Sequence, residues 1–323
     1  MGGEVAMNRN PAIELYRVLL MFGIVTLHVA YIWGPAFRWE NTGLAWCVDG
    51  FVFITGWFGV RFSVGKILSL YGTAFASALM IECLACAFGH GLDSNIVMGA
   101  MKHIKGLWFL HAYAFMLCLT PIVDCVLEIS NGRRLVPFLF LVFGWGLATE
   151  LPIVHKFVPR PEGIGSFSGM TLLGVYTVAR MIRRYGLVRY AKPRYLVLAL
   201  PVLFCLCCLG YGWLGHYASP IAVLMATSVF LLFLRIQIPS FAVPIILFLG
   251  GSMFPVYVIH GHPWVWTVIK NLNILSFDRE GGCFGVGIIV FGCSLLLDLP
   301  RRMLVVLVLK FVHSRKSSDG AVR

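Results

Sequence analysis

The chain has 323 residues, of which 59% are hydrophobic and 12% charged. Soluble domains sit nearer 45–50% apolar and about 25% charged, so a cytosolic enzyme, a disordered chain and a coiled coil are all excluded. The net charge of +12 comes from 26 Lys and Arg against 14 Asp and Glu; nucleic-acid binding would need a water-exposed basic face, and in so apolar a chain the excess cations instead mark one side of a bilayer.

A membrane-crossing helix needs about 20 mostly apolar residues. Ten such runs follow one another, near 13–33, 44–62, 67–88, 107–128, 135–150, 167–182, 195–214, 218–234, 242–269 and 283–299. They lack period-two alternation, so the expected fold is all-α and polytopic, with about ten transmembrane helices. With ten spans both termini share one side, and 19 of the 26 Lys and Arg fall there. The positive-inside rule then predicts cytoplasmic N- and C-termini in a cell (inner) membrane. The first apolar run is too long for a cleavable signal, and no soluble domain is expected at either end. Residues 1–323 read as a single membrane domain with a core of about 10–305. The stretch 303–323 reads as an interfacial helix and a short basic tail.

Eight of the ten cysteines fall in the body of these runs, where Cys is a small apolar residue, and Cys47 and Cys283 lie at run ends near the outer face. Cys83 and Cys86 have metal or redox spacing without a companion pair; Cys47 and Cys283 are the two placed to form a disulfide. No His, Cys and Asp cluster has metal-ligand spacing, so no metal is expected. The basic loop from Arg180 to Arg194 is a topology signal facing anionic lipid, with a further possible use in gathering an anionic donor.

Ionisable groups within a bilayer are costly and are functional candidates by default. Glu14 and Arg17, three apart in the first run, share a helical face and can pair. Arg17 and His28, eleven apart, are about three turns and roughly 16 Å from each other along that face. A guanidinium at the rim and an imidazole deep in the membrane suit a ligand with an anionic head and a reactive tip on a long arm. Acyl-coenzyme A has that shape: Arg binds phosphate through its planar fork, and a neutral His can take the proton of an attacking hydroxyl. The plainer alternatives are a positive-inside anchor for Arg17 and a core imidazole for His28. Among the other histidines, His111 reads as structural, and His90, His103, His155 and His216 read as solvated in outer loops. His260 and His262 point to different helical faces.

Glu14-Leu-x-Arg17 followed by ten residues and His28 resembles the first helix of the acyltransferase 3 family, membrane O-acyltransferases that modify bacterial surface glycans. Four more elements resemble that family in order. These are Asp49-Gly-Phe-Val-Phe-Ile-Thr55-Gly56, Trp108-Phe-Leu-His-Ala-Tyr113 with Pro121, Leu173-Gly-Val-Tyr176, and Tyr257-Val-Ile-His260-x-x-Pro263. The likeness runs from about residue 10 to 305. It implies His28 as the catalytic base and Arg17, oriented by Glu14, as the contact to acyl-CoA, most simply acetyl-CoA. It also implies Asp49 and Thr55 lining the site, with Trp108, Tyr113 and His260 as substrate contacts. Val52 replaces a family aromatic, which would alter a substrate wall; Thr55 replaces Ser and keeps the hydroxyl. The implied acceptor is a glycan or lipid-linked sugar hydroxyl, the implied surroundings are membrane lipid, and no nucleic acid is involved. The competing reading from the residues alone is a transporter or flippase of a lipid-linked glycan or acyl group; the chain lacks the internal repeat common in such proteins.

Overall fold

A computed structural model describes residues 10–34, 38–130, 132–149, 168–209, 217, 219–272 and 282–320; His155, His216 and Trp213 lie outside them. The described chain is helical with no strand. Its helices are α1 (Pro11–Trp33), α2 (Arg38–Gly43), α3 (Trp46–Phe58), α4 (Val64–Ala87), α5 (Ile96–Lys105), α6 (Trp108–Ser130) and α7 (Leu135–Thr149). There follow α8 (Gly169–Arg184), α9 (Pro193–Leu209), α10 (Pro220–Phe233), α11 (Val243–Gly250), α12 (Met253–His260), α13 (Pro263–Leu272) and α14 (Gly282–Gly320).

Among the described residues each of the ten apolar runs contains helix, but fewer than ten helices are individually long enough to cross a membrane. Among the described residues four helices, α1, α4, α6 and residues 282–304 of α14, are long and apolar enough to cross a membrane by themselves; α11 and α12 together make a fifth, bent by 46°. Hydropathy counts apolar residues and is blind to where the backbone turns. The run at 44–62 yields the 13-residue α3, which stops at Gly59 with φ 73°. The run at 242–269 breaks twice, at Gly251–Ser252 and at Gly261–His262, into α11, α12 and α13. At the other extreme α14 continues through Pro300 to Gly320, so the separate interfacial helix expected after Arg302 is the far end of the preceding one.

Helix α1 is the hub. Asn10 caps it, its side chain accepting from the Ala12 N–H, and Pro11 opens its first turn. Buried residues lie on most of its circumference because it packs against α2, α3, α11, α12 and α14. Helix α3 packs most closely on α8. At Gly56 a Cβ would stand 2.5 Å from the Tyr176 carbonyl oxygen and 2.8 Å from the Ala179 Cβ, so only glycine permits this approach. Nearby, Arg180 pairs with Asp124 at 2.7 Å, and Arg183 donates to the Trp57 carbonyl and lies over the Trp57 ring. Cations of the basic loop thus tie α8 to α6 and α3. Between α4 and α5, Lys102 donates to Asp93 at 2.5 Å and the Asn95 N–H at 3.1 Å, which hold the Asp93 carboxyl down to about 2.

Several local expectations change. Cys47 and Cys283 are buried and are not joined in a disulfide: α3 packs chiefly on α8, whereas α14 packs chiefly on α1. His103, expected in solvent, is buried, because α5 folds back onto α4 and α12 instead of standing in a loop. His111 is structural, bonded to the Tyr71 hydroxyl at 2.9 Å and the Ile104 carbonyl at 3.1 Å.

Candidate active site

The sites of interest meet around a cavity of about 280 Å³ walled by α1, α3, α6 and the α11–α12 break. Arg17 and His28 both line it, as eleven residues of uninterrupted helix require. Between them the wall is apolar, with Met21, Ile24, Val48, Phe51 and Leu110; aromatic groups, among them Trp108, Tyr113, Tyr217 and Tyr257, close the remainder. The cavity therefore has a largely apolar wall that also carries a guanidinium and an imidazole, about 16 Å apart along α1.

Arg17 donates from Nη1 to Glu14 Oε1 at 3.3 Å; its side chain is 39% exposed and that of Glu14 only 7%. Glu14 stands behind the wall, not in it. Its Oε2 is buried without a hydrogen-bond partner among the described residues, as is Arg17 Nε. The Glu14 carboxylate lies against Gly250, where a Cβ would come within 2.2 Å of Oε2. The α11–α12 break is thus the place where the chain lets a carboxylate reach the mouth of the cavity.

At the other end the protonation pattern follows from geometry. His260 Nδ1 lies 2.7 Å from the Val256 carbonyl oxygen, which can only accept, so His260 carries its proton on Nδ1. With both rings neutral, His260 Nε2 is then an acceptor, and His28 Nδ1, 2.8 Å away, donates to it. His28 Nε2 is left with a lone pair and has no partner among the described residues. A ring held this way presents a base, with its other nitrogen anchored. The Trp266 ring flanks His28 with centroids 6.0 Å apart.

Thr55 and Tyr113 form a second polar point on the wall. The Thr55 hydroxyl donates to the Phe51 carbonyl at 3.1 Å, so Tyr113 donates to Thr55 at 3.0 Å. The indole of Trp108 stands beside the Tyr217 ring with centroids 5.4 Å apart. Three expected roles shift. Asp49 is fully buried and outside the cavity wall, within electrostatic reach of Tyr217, Tyr16, Cys47 and Cys207. Val52 points into the core, and Phe51 supplies that stretch of wall. His260 is 1% exposed and is absent from the cavity wall; its ring contact is to His28.

The sequence reading overlooked a buried carboxylate, Glu82, together with its partner His262 and the nearby His103. An acid within the apolar run 67–88 carries the same signal as Glu14. Among the described residues no group of three or more His, Cys, Asp or Glu could hold a metal ion.

Among the described residues the chain is helical with apolar spans, and it encloses a cavity lined by both an arginine and a histidine; that defines a class, a helical membrane protein with an internal polar-ended cavity. A family model described as "Acyltransferase domain" matches residues 10–298, nearly the whole chain. The chain belongs to that family, acyltransferase 3, and is a membrane acyltransferase. No curated protein and no solved structure matches it.

Proposed function

We propose that the protein is a membrane O-acyltransferase carrying a short acyl group, most simply acetyl, from cytosolic acyl-CoA to a hydroxyl of a cell-surface polysaccharide or lipid-linked sugar. The observation that carries this reading is the shared cavity of Arg17 and His28. Their separation of about 16 Å along α1 matches the reach from a phosphate group to a thioester along a pantetheine arm. On the ten-span reading, whose charge partition puts both termini in the cytoplasm, Arg17 opens toward the cytosol, where acyl-CoA is found. The apolar middle of the passage suits the arm, and the aromatic groups around Trp108 and Tyr217 suit the face of a sugar.

His28 Nε2 takes the acceptor hydroxyl proton as the oxygen attacks the thioester carbonyl. The tetrahedral intermediate then breaks its C–S bond, and His28 returns the proton to the departing thiolate. The products are the ester and free coenzyme A, with no net proton gained or lost. Arg17, oriented by Glu14, holds the donor's phosphates through charge-assisted bonds. Thr55 and Tyr113 fix the wall beside the arm. His260 sets which nitrogen of His28 is basic, and is a positioning residue in this scheme.

The test is His28→Ala expressed at wild-type membrane levels, with surface-glycan acylation read by mass spectrometry. Loss of a general base should lower acylation by about 10²–10⁴. Acylation at the wild-type rate would refute the assignment.

A further inference from the structure

Glu82 is fully buried in α4, in the apolar setting Met80-Ile81-Glu82-Cys83-Leu84. A carboxylate is tolerated there only if its oxygens are well satisfied, and they are. Oε1 accepts the Leu92 N–H at 2.6 Å, and Oε2 accepts from His262 Nε2 at 2.8 Å. The direction of the second bond is fixed, because His262 Nδ1 accepts the Trp264 N–H at 3.2 Å and so cannot carry the ring proton. Helix α5 is pressed onto the same carboxylate: a Cβ at Gly99 would lie 2.0 Å from Oε1.

A second bond runs from α5 to the helix that bears His260. His103 Nε2 donates to the Val258 carbonyl at 2.8 Å. Helix α12 ends at His260, and the His262 N–H turns to Ile259, so the Val258 carbonyl has lost its helical donor and His103 supplies one. The His103 and His262 rings meet edge to face, 4.8 Å between centroids. The chain is therefore held two residues before His260 and two residues after it. This restraint falls where the backbone breaks at Gly261 and no continuing helix could provide it.

We propose that Glu82, His262 and His103 form a buried clamp that positions His260, and through it the His28 base. The inference rests on the reading of His28 as base. A relay role is not required of the cluster, since the transfer returns its proton to the leaving thiolate; what the chemistry requires is a His260 ring that does not drift. Small misplacements of a reacting group can cost about a hundredfold in rate.

The experiment is a double-mutant cycle of Glu82→Gln and His260→Ala in membranes at matched protein level. Glycan acylation rate is read by mass spectrometry, and binding of coenzyme A to the purified protein is read separately. E82Q alone should slow acylation by about tenfold or more with coenzyme A affinity unchanged, and should add less than about twofold in the H260A background, because the two act as one unit. Equal effects of E82Q in both backgrounds, or no effect in either, would overturn the clamp. Should E82Q fail to accumulate, His103→Ala enters the same cycle, and His103→Gln, which can still donate to Val258, should restore the rate; no restoration also counts against it. His28→Ala is run alongside. If it is inactive while the cycle is additive, the clamp fails and the base stands; if it acylates normally, the base itself is wrong.

Discussion

Replacing His260 by alanine isolates what the His28–His260 contact contributes. In the resting protein the contact is a neutral hydrogen bond of 2.8 Å. When His28 takes the acceptor's proton it becomes a bond from a cation, worth about 1.5–3 kcal/mol where a neutral one is worth about 1. The part that grows as the reaction proceeds, about 0.5–2 kcal/mol, lowers the barrier, so losing it predicts a fall in kcat of about 2–30-fold. H260A also frees His28 to carry its proton on Nε2, which removes the base from part of the population. Donor binding should be unaffected, because Arg17 is about 16 Å away along α1. The assay is release of free coenzyme A thiol from acetyl-CoA by protein reconstituted in lipid with its glycan acceptor, with donor and acceptor concentrations varied separately. His260→Gln, whose amide oxygen can accept from His28 Nδ1–H, should recover part of the rate. A rise in acceptor KM with unchanged kcat would refute the reasoning and return His260 to the role of an acceptor contact.

Two other substitutions probe the mouth and the scaffold. Arg17→Ala should raise the donor KM by about 10–100-fold through loss of charge-assisted bonds, and Arg17→Lys should recover only part of this, since an ammonium lacks the planar fork; coenzyme A binding by titration calorimetry decides it, and unchanged affinity in R17A would remove Arg17 from the donor site. Gly56→Ala should destabilise the fold by about 1–3 kcal/mol, because its Cβ meets the backbone of α8, which cannot swing aside. A thermal melt in detergent as high as that of wild type would show that the α3–α8 approach is not limiting.

Much of the site was legible in the sequence because its first part is local. Arg17 and His28 belong to one helix, and the helical period alone puts them on one face. Glu14 is readable for the same reason, through its i,i+3 spacing. What was not legible depends on how separate helices meet. His28 and His260 are 232 positions apart, and Glu82 and His262 are 180 apart; no period links them. Hydropathy found the helical stretches but not their ends, since it is insensitive to breaks such as Gly250-Gly251-Ser252. Asp49 and Val52 were placed on the wall from a motif, yet α3 turns Val48, Phe51 and Thr55 toward the cavity and leaves Asp49 and Val52 behind it. A motif names the helix that matters without naming its phase. Glu82 differs, for a carboxylate amid apolar residues is visible in the sequence; only its partners needed the structure.

Under the proposed reaction, with coenzyme A held at Arg17, the Glu14–Arg17 pair has a bearing on turnover. A guanidinium that already has a carboxylate beside it offers an arriving phosphate an exchange of partners, not an empty seat. Donor and spent coenzyme A carry the same phosphates, so the competition tempers both alike. An unaccompanied arginine would grip the product as firmly as the substrate and leave the passage occupied after each transfer. With its own counter-ion at hand, the mouth can let go, and the enzyme's pace is less bound to the departure of what it has used.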